Sequence, residues 1–202
     1  MTNSNIETNS PLVWQLDLSL PTWVNDYINL TDFPLFGIEK QMDWVIELAH
    51  KNIQHQTGGP FGAAVFTQSG ELVAPGVNLV TEAGLSCAHA EVVALSMAQK
   101  RLGGFDLSAH GALTLVTSTE PCAMCLGATI WSGVTAVVSG AGGPDAEAVG
   151  FDEGPKPADW AGELEQRGIR VHSEVCKTKA VAVLQAYAKQ GGEIYNGRGS
   201  NQ

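Results

Sequence analysis

Apolar residues recur at Ile38, Met42, Val45, Ile46, Ala49 and Ile53, while Glu39, Lys40, Asp43 and Glu47 take the positions between them. That three-and-four spacing predicts an amphipathic helix, ended by Gly58-Gly59-Pro60. The pattern then changes. Residues 61–67 and 71–78 read as two strands joined by a turn at Gln68-Ser69-Gly70, a hairpin. A loop containing Gly84 leads to a buried helix over 90–100, carried by Val92, Val93, Leu95, Met97 and Ala98. Residues 113–117 predict a strand, 118–121 a turn, 122–132 an almost wholly apolar helix, and 134–139 another strand. Residues 140–157 are polar and acidic, with Asp145, Glu147, Asp152 and Glu153, and read as a long loop of the kind that carries function or stays disordered. A short helix ending at 164–168, a strand over 169–172 and an amphipathic helix over 176–189 follow. Strands alternating with helices predict a layered α/β fold.

The ends differ from this body. The first 36 residues are rich in Asn, Ser and Thr, and Pro11, Pro21 and Pro34 break any long element. Trp14, Leu16, Leu18, Leu20, Trp23 and Tyr27 nevertheless predict that part of the stretch packs on the body. The expected division is an extension over 1–37, a domain over 38–190 and a tail over 191–202.

The chain has 202 residues, enough for one domain with attached ends. With 44% hydrophobic and 16% charged residues, the composition excludes a disordered chain. Twenty-one acids against eleven bases give a net charge of -10, which repels phosphate backbones. The bases are scattered, Lys177 with Lys179 being the nearest approach to a cluster, so no nucleic-acid partner is expected. Four cysteines, two of them spaced C-x-x-C, predict a reducing compartment rather than a disulfide framework. No basic leader followed by an apolar run is present, and no apolar run approaches a membrane span. The expectation is a cytoplasmic protein with no membrane partner.

Two short stretches carry chemistry: Cys87-Ala88-His89-Ala90-Glu91 and Thr119-Glu120-Pro121-Cys122-Ala123-Met124-Cys125. His89 offers an imidazole nitrogen, and Cys122 and Cys125 offer two thiolates spaced to reach one ion. Zinc (Zn2+) takes such a set tetrahedrally, with the fourth position left for water. Glu91 lies two residues from His89, about 200° around a regular helix, so the two converge only where that helix is just starting. There the carboxylate can take a proton from the water and pass it to a leaving group. Both stretches fall at predicted helix N-termini, where the helix dipole favours thiolate. H-x-E followed by P-C-x-x-C is the signature of zinc nucleobase deaminases. A closed structural site with Cys87 as fourth ligand would leave Glu91 without a role, and Cys87 and Cys176 are read as ordinary buried thiols.

The run from Glu120 through Ala128 to Trp131, the run Asp145-Ala146-Glu147-Ala148-Val149-Gly150-Phe151-Asp152-Glu153, and the ending Ile194-Tyr195-Asn196 resemble bacterial guanine deaminases of the cytidine-deaminase-like superfamily. The resemblance starts near residue 38 and leaves the extension uncovered. It implies a three-layer α/β/α sandwich around a five-stranded mixed sheet, a homodimer, and zinc on His89, Cys122 and Cys125. It further implies Glu91 as the main proton carrier, Glu153 as a second, and substrate contacts from Asn78, Phe61, Ala90 and Tyr195. The implied reaction is hydrolysis of guanine to xanthine and ammonia. The Gly191-Gly192 hinge before Ile194-Tyr195 predicts a tail that closes the pocket, in the resembling family across the dimer interface. Three alternatives stand beside this: a deaminase of guanosine, cytosine or a triazine; a tRNA adenosine deaminase, disfavoured by the charge; and a zinc-bearing binding module without catalysis.

Overall fold

Five strands, β1 (Gly62–Thr67), β2 (Leu72–Val77), β3 (Leu113–Thr119), β4 (Ala136–Ala141) and β5 (Arg170–His172), make one sheet in the order β2-β1-β3-β4-β5. The computed structural model describes residues 16–197. The expectations for Pro11, Trp14 and the last five positions of the tail lie outside the described residues. β1 is antiparallel to both β2 and β3, whereas β3, β4 and β5 run parallel. A parallel neighbour needs a crossover, and α5 (Ala123–Ser132) and α7 (Trp160–Glu165) supply the two required.

Alternate residues of each strand feed different cores. Ala64, Phe66, Val116 and Val138 pack with α2 (Ile38–Gln54) and α8 (Lys177–Lys189). Ala63, Val65, Leu115 and Val137 pack on the opposite face with α4 (Ala90–Leu102), α5 and α7. The result is an α/β/α sandwich with a five-stranded mixed sheet, as expected. Fully buried side chains such as Phe66, Met42 and Leu115 each contribute roughly 1.5–3 kcal/mol of transfer free energy.

The extension packs on the α2 face. Helix α1 (Thr22–Asn29) follows Pro21 and buries Trp23 and Val24. Tyr27 stacks on Trp44 of α2 at 5.1 Å between centroids. Leu18 and Leu20 are half-buried against the same core, but Leu16 stays 70% exposed.

Four local expectations are corrected. The loop before Cys87 contains a helical turn, α3 (Val80–Ala83), closed by Gly84 in the left-handed region. The acidic segment is not a plain loop. It opens with α6 (Gly143–Glu147), whose Asp145 carboxylate accepts from the Gly142 N–H at 2.8 Å, and it buries Ala146 and Phe151. Cys87 is exposed, because it sits in the loop between α3 and α4 with water on one side. Cys176 is half-buried at the N-terminus of α8, its thiol 3.9 Å from the Glu39 carbonyl. Among the described residues no helix is long and apolar enough to cross a membrane.

Candidate active site

His89 ends the loop that precedes α4 and Cys122 ends the turn that precedes α5, each in extended backbone at the N-cap. A residue in that position projects off the helix end instead of along its side, which is how the two stretches meet. His89 Nδ1 lies 3.5 Å from Cys122 Sγ and 3.6 Å from Cys125 Sγ. A nitrogen and a sulfur donor on a tetrahedral zinc with ordinary bond lengths stand roughly 3.5 Å apart, so both His89–sulfur spacings suit the ion, and all three donor atoms lie within 4.8 Å of one another. Among the described residues no other group of His, Cys, Asp and Glu gathers donor atoms this closely, and Cys87 is not in the group. Glu91 follows in the first turn of α4, only 7% exposed.

The electrostatics of the cluster follow from burial next to thiolate. A hydrogen bond with Cys125 holds the Cys122 thiol down to about 4, against the opposing effect of burial. The same bond, with burial, raises Cys125. Burial alone would lower His89, but its hydrogen bond to Cys122 and the charge of Glu91 outweigh that and raise it. Burial first, and the neighbouring Cys122 second, push Glu91 up to about 7. A carboxyl poised near neutrality exchanges protons in both directions at working pH.

A cavity of about 320 Å³ opens on this cluster. Phe61, Asn78, Glu91, Phe151, Glu153 and Tyr195 are among the residues that line it. Phe61 meets Phe151 edge-on at 4.8 Å, giving the cavity an aromatic wall. Asn78 is held in one orientation. The backbone N–H groups of Gly59 and Val80 donate to its Oδ1 at 3.4 and 3.2 Å. Its Nδ2 is buried and has no hydrogen-bond partner among the described residues. Asn52, fully buried, fixes the same strand end by donating to the carbonyls of Asn78 and Gly59 at 2.8 and 2.9 Å. The Asn52 Oδ1 accepts from Thr57 Oγ1 at 2.7 Å, and that hydroxyl accepts from Trp23 Nε1 at 3.0 Å, so the extension reaches the pocket wall through a hydrogen-bonded chain. Gly58 has to be glycine here, since a Cβ would collide with the Asn78 carbonyl. The Thr119 and Tyr195 hydroxyls are, with Asn78 Nδ2, the buried side-chain polar atoms left unpartnered among the described residues, and all three residues line this cavity. Each such group costs roughly 1–3 kcal/mol unless a ligand pairs it. Ala90 is the expected contact that does not line the cavity; it is buried in the core beneath the sheet.

The family profile described as the cytidine and deoxycytidylate deaminase zinc-binding region matches residues 37–141. The chain belongs to this deaminase family. Zinc is accordingly its cofactor. The deaminase is 37% identical over 142 residues to a guanine deaminase of Bacillus subtilis, covering 70% of this chain and 88% of the relative. It superimposes on the structure of a guanine deaminase from Nitrosomonas europaea with a TM-score of 0.83, at 45% identity over 89% of this chain and 100% of that one. A mutant of a protein called NE0047 in complex with 8-azaguanine gives a TM-score of 0.83 at 45% identity, over 90% of this chain and 100% of that one.

The tail of the deaminase returns to its own pocket. Asn196 Oδ1 accepts from the Asp152 N–H at 3.0 Å and its Nδ2 donates to the Gly150 carbonyl at 2.8 Å. The Tyr195 ring lies 5.4 Å from Phe151 and 6.5 Å from His89, both edge-on. Its hydroxyl tip occupies the space a side chain at Gly59 would need. Sequence reasoning assigned no role to Phe151, which lines the cavity, or to Asn52 and Lys156, which hydrogen-bond to the lining residues Asn78 and Glu153. A lone lysine two residues past Gly154 in an acidic segment was the available signal for Lys156. No local pattern marks Asn52, whose partners are distant in the chain.

Proposed function

We propose that this deaminase hydrolyses guanine to xanthine and ammonia, with zinc held by His89, Cys122 and Cys125. One observation carries the choice of substrate class: Asn78 is locked with its two-hydrogen Nδ2 buried and unpaired in a cavity walled by Phe61 and Phe151. A purine with adjacent acceptors, such as O6 and N7 of guanine, satisfies that group and lies flat against the rings. The guanine deaminases among its relatives support the same reading.

Zinc, when bound, acidifies a water at its open position so that a hydroxide equivalent exists near neutral pH. The protein's own groups manage the rest. Glu91 accepts one proton of the attacking water and delivers it to the ring nitrogen beside C2. C2 then carries both hydroxyl and amine. The hydroxyl proton passes to the amine, with Glu153 as carrier, the C–N bond breaks and ammonia leaves as the C2 carbonyl forms. Burial raises Glu153 above the ordinary carboxyl range despite its hydrogen bond with Lys156, which suits a group that must carry a proton near neutrality. Tyr195 and Asn196 cover the pocket and keep bulk water from the reacting carbon.

A homodimer is supported by the surface. Met124 and Trp131 of α5 are 39% and 84% exposed, and Gly127 between them faces open space. The chain's unpaired cysteines favour a reducing, cytoplasmic setting.

Ammonia release from guanine, guanosine, adenine, cytosine, ammeline and a tRNA hairpin tests the substrate. Guanine is expected to give the highest kcat/KM. Faster release from any other member of the set overturns the assignment, and no release from any of them, with zinc present, returns the protein to a binding role.

A further inference from the structure

Lys156 joins the acidic segment to the turn that presents the sulfur donors. Its Nζ donates to Glu153 Oε2 at 3.0 Å, to Glu120 Oε1 at 2.5 Å and to the Pro121 carbonyl at 3.3 Å. Three acceptors use all three hydrogens of the ammonium. The side chains concerned are 13% exposed for Lys156, 14% for Glu120 and 7% for Glu153, so this is not a solvated surface pair. The pair packs over Gly143, where a Cβ would press on Glu120 Oε1 and stand 3.0 Å from Lys156 Nζ, so a side chain there would have to push the pair aside. A backbone bond from the Ala123 N–H to the Glu153 carbonyl, 2.9 Å, tethers the same residue on its other side.

Stability gives little reason for this arrangement. Removing an ammonium and two carboxylates from water costs several kcal/mol per ion, and an apolar cluster of the same volume generally serves folding as well or better. What the lysine does supply is orientation. It engages Glu153 Oε2 and leaves Oε1 without a hydrogen-bond partner among the described residues, on a residue that lines the substrate cavity.

We propose that Lys156, braced by Glu120 and the Pro121 carbonyl, is a positioning residue that fixes Glu153 in one orientation with a single oxygen available to the substrate. This rests on the reading of Glu153 as the second proton carrier. Lys156 does not touch the base; it acts through Glu153. A carboxylate free to rotate would spend most of its time misplaced, and misplacement by about 1 Å costs on the order of 10²-fold in rate.

The test is a double-mutant cycle on the zinc-loaded enzyme: Lys156→Met, Glu153→Gln and the double variant, with zinc content, melting temperature, kcat and KM for guanine measured for each. Lys156→Gln is carried in parallel in case the Lys156→Met change disturbs the fold. Lys156→Met is expected to keep zinc and lower kcat by about 10²-fold with KM little changed. The double variant is expected to be no slower than Glu153→Gln alone, because both changes remove one function. Multiplying losses would show that Lys156 acts independently of Glu153 and would overturn the proposal. Parental kcat in Lys156→Met, beside a slow Glu153→Gln, also overturns it and leaves Glu153 in the mechanism. Parental kcat in Glu153→Gln removes Glu153 from the mechanism and the proposal with it. Zinc loss in both Lys156 variants would make the residue a strut of the ligand turn, again overturning it.

Discussion

At the scale of single residues, position relative to a helix start matters more than residue type. Glu91 is two residues from His89, a separation that would place the two on opposite faces anywhere inside α4. Because His89 is the N-cap, its side chain leaves the helix axis and Glu91 comes to lie beside the same cluster, its ionisation opposed first by burial and then by Cys122. Glu91→Gln preserves the volume and removes the proton acceptor. We expect it to retain zinc and its melting temperature while turnover of guanine falls by about 10²- to 10⁴-fold. Metal analysis and steady-state kinetics on one preparation check this, and turnover within a few-fold of the parent would take Glu91 out of the mechanism.

At the scale of elements, the tail is the informative case. Residues 191–197 form no helix or strand, yet they are held at three points: Tyr187 Oη donates to the Glu193 carbonyl at 2.8 Å, Asn196 clamps Gly150 and Asp152, and Tyr195 inserts between Phe151 and His89. Tyr195 and Asn196 line the cavity, while Ile194 and Tyr195 also pack against the core that holds Phe151 and Tyr187, so the tail serves closure and some folding. Deleting residues 193–202 is therefore expected to lower kcat/KM strongly, and by more than the accompanying fall in melting temperature would explain. Thermal unfolding measured beside guanine turnover separates the two effects. An unimpaired truncated enzyme would show that the tail is not a lid.

At the scale of the whole molecule, α5 has two jobs. Its N-terminus presents Cys122 and Cys125, and its buried side carries Leu126 and Thr129 into the core. Its outer side, Met124, Gly127 and Trp131, remains bare in the single chain although Met124 also lines the substrate cavity. The homodimer proposed above would cover this face. We expect the parent to sediment as a dimer and Trp131→Glu as a monomer, because a second copy would have to bury the new carboxylate. Analytical ultracentrifugation over a range of concentrations checks this, and a parent that stays monomeric would leave the face unexplained.

Apolar runs bounded by turn residues located the five strands, and apolar stripes located α2, α4, α5, α7 and α8, but the short helices α1, α3 and α6 left no such pattern. Spacing was likewise sufficient to bring His89, Cys122 and Cys125 together at two helix starts, because N-cap geometry is a local property. Where the pattern misled, the missing information was long-range. The acidic segment read as a long loop, functional or disordered, because its burial comes from α8, the tail and the ligand turn, none of which is near it in the chain. Cys87 was read as buried from residue type alone, but exposure depends on what packs opposite. The orientation of Asn78 is set by Asn52, Gly59 and Val80, and two of the three partners of Lys156, Glu120 and Pro121, lie more than thirty residues away. Hydrogen bonds between distant side chains leave no periodic trace in a sequence. Only the folded chain decides them, because their energy exists once the sheet has brought both ends together.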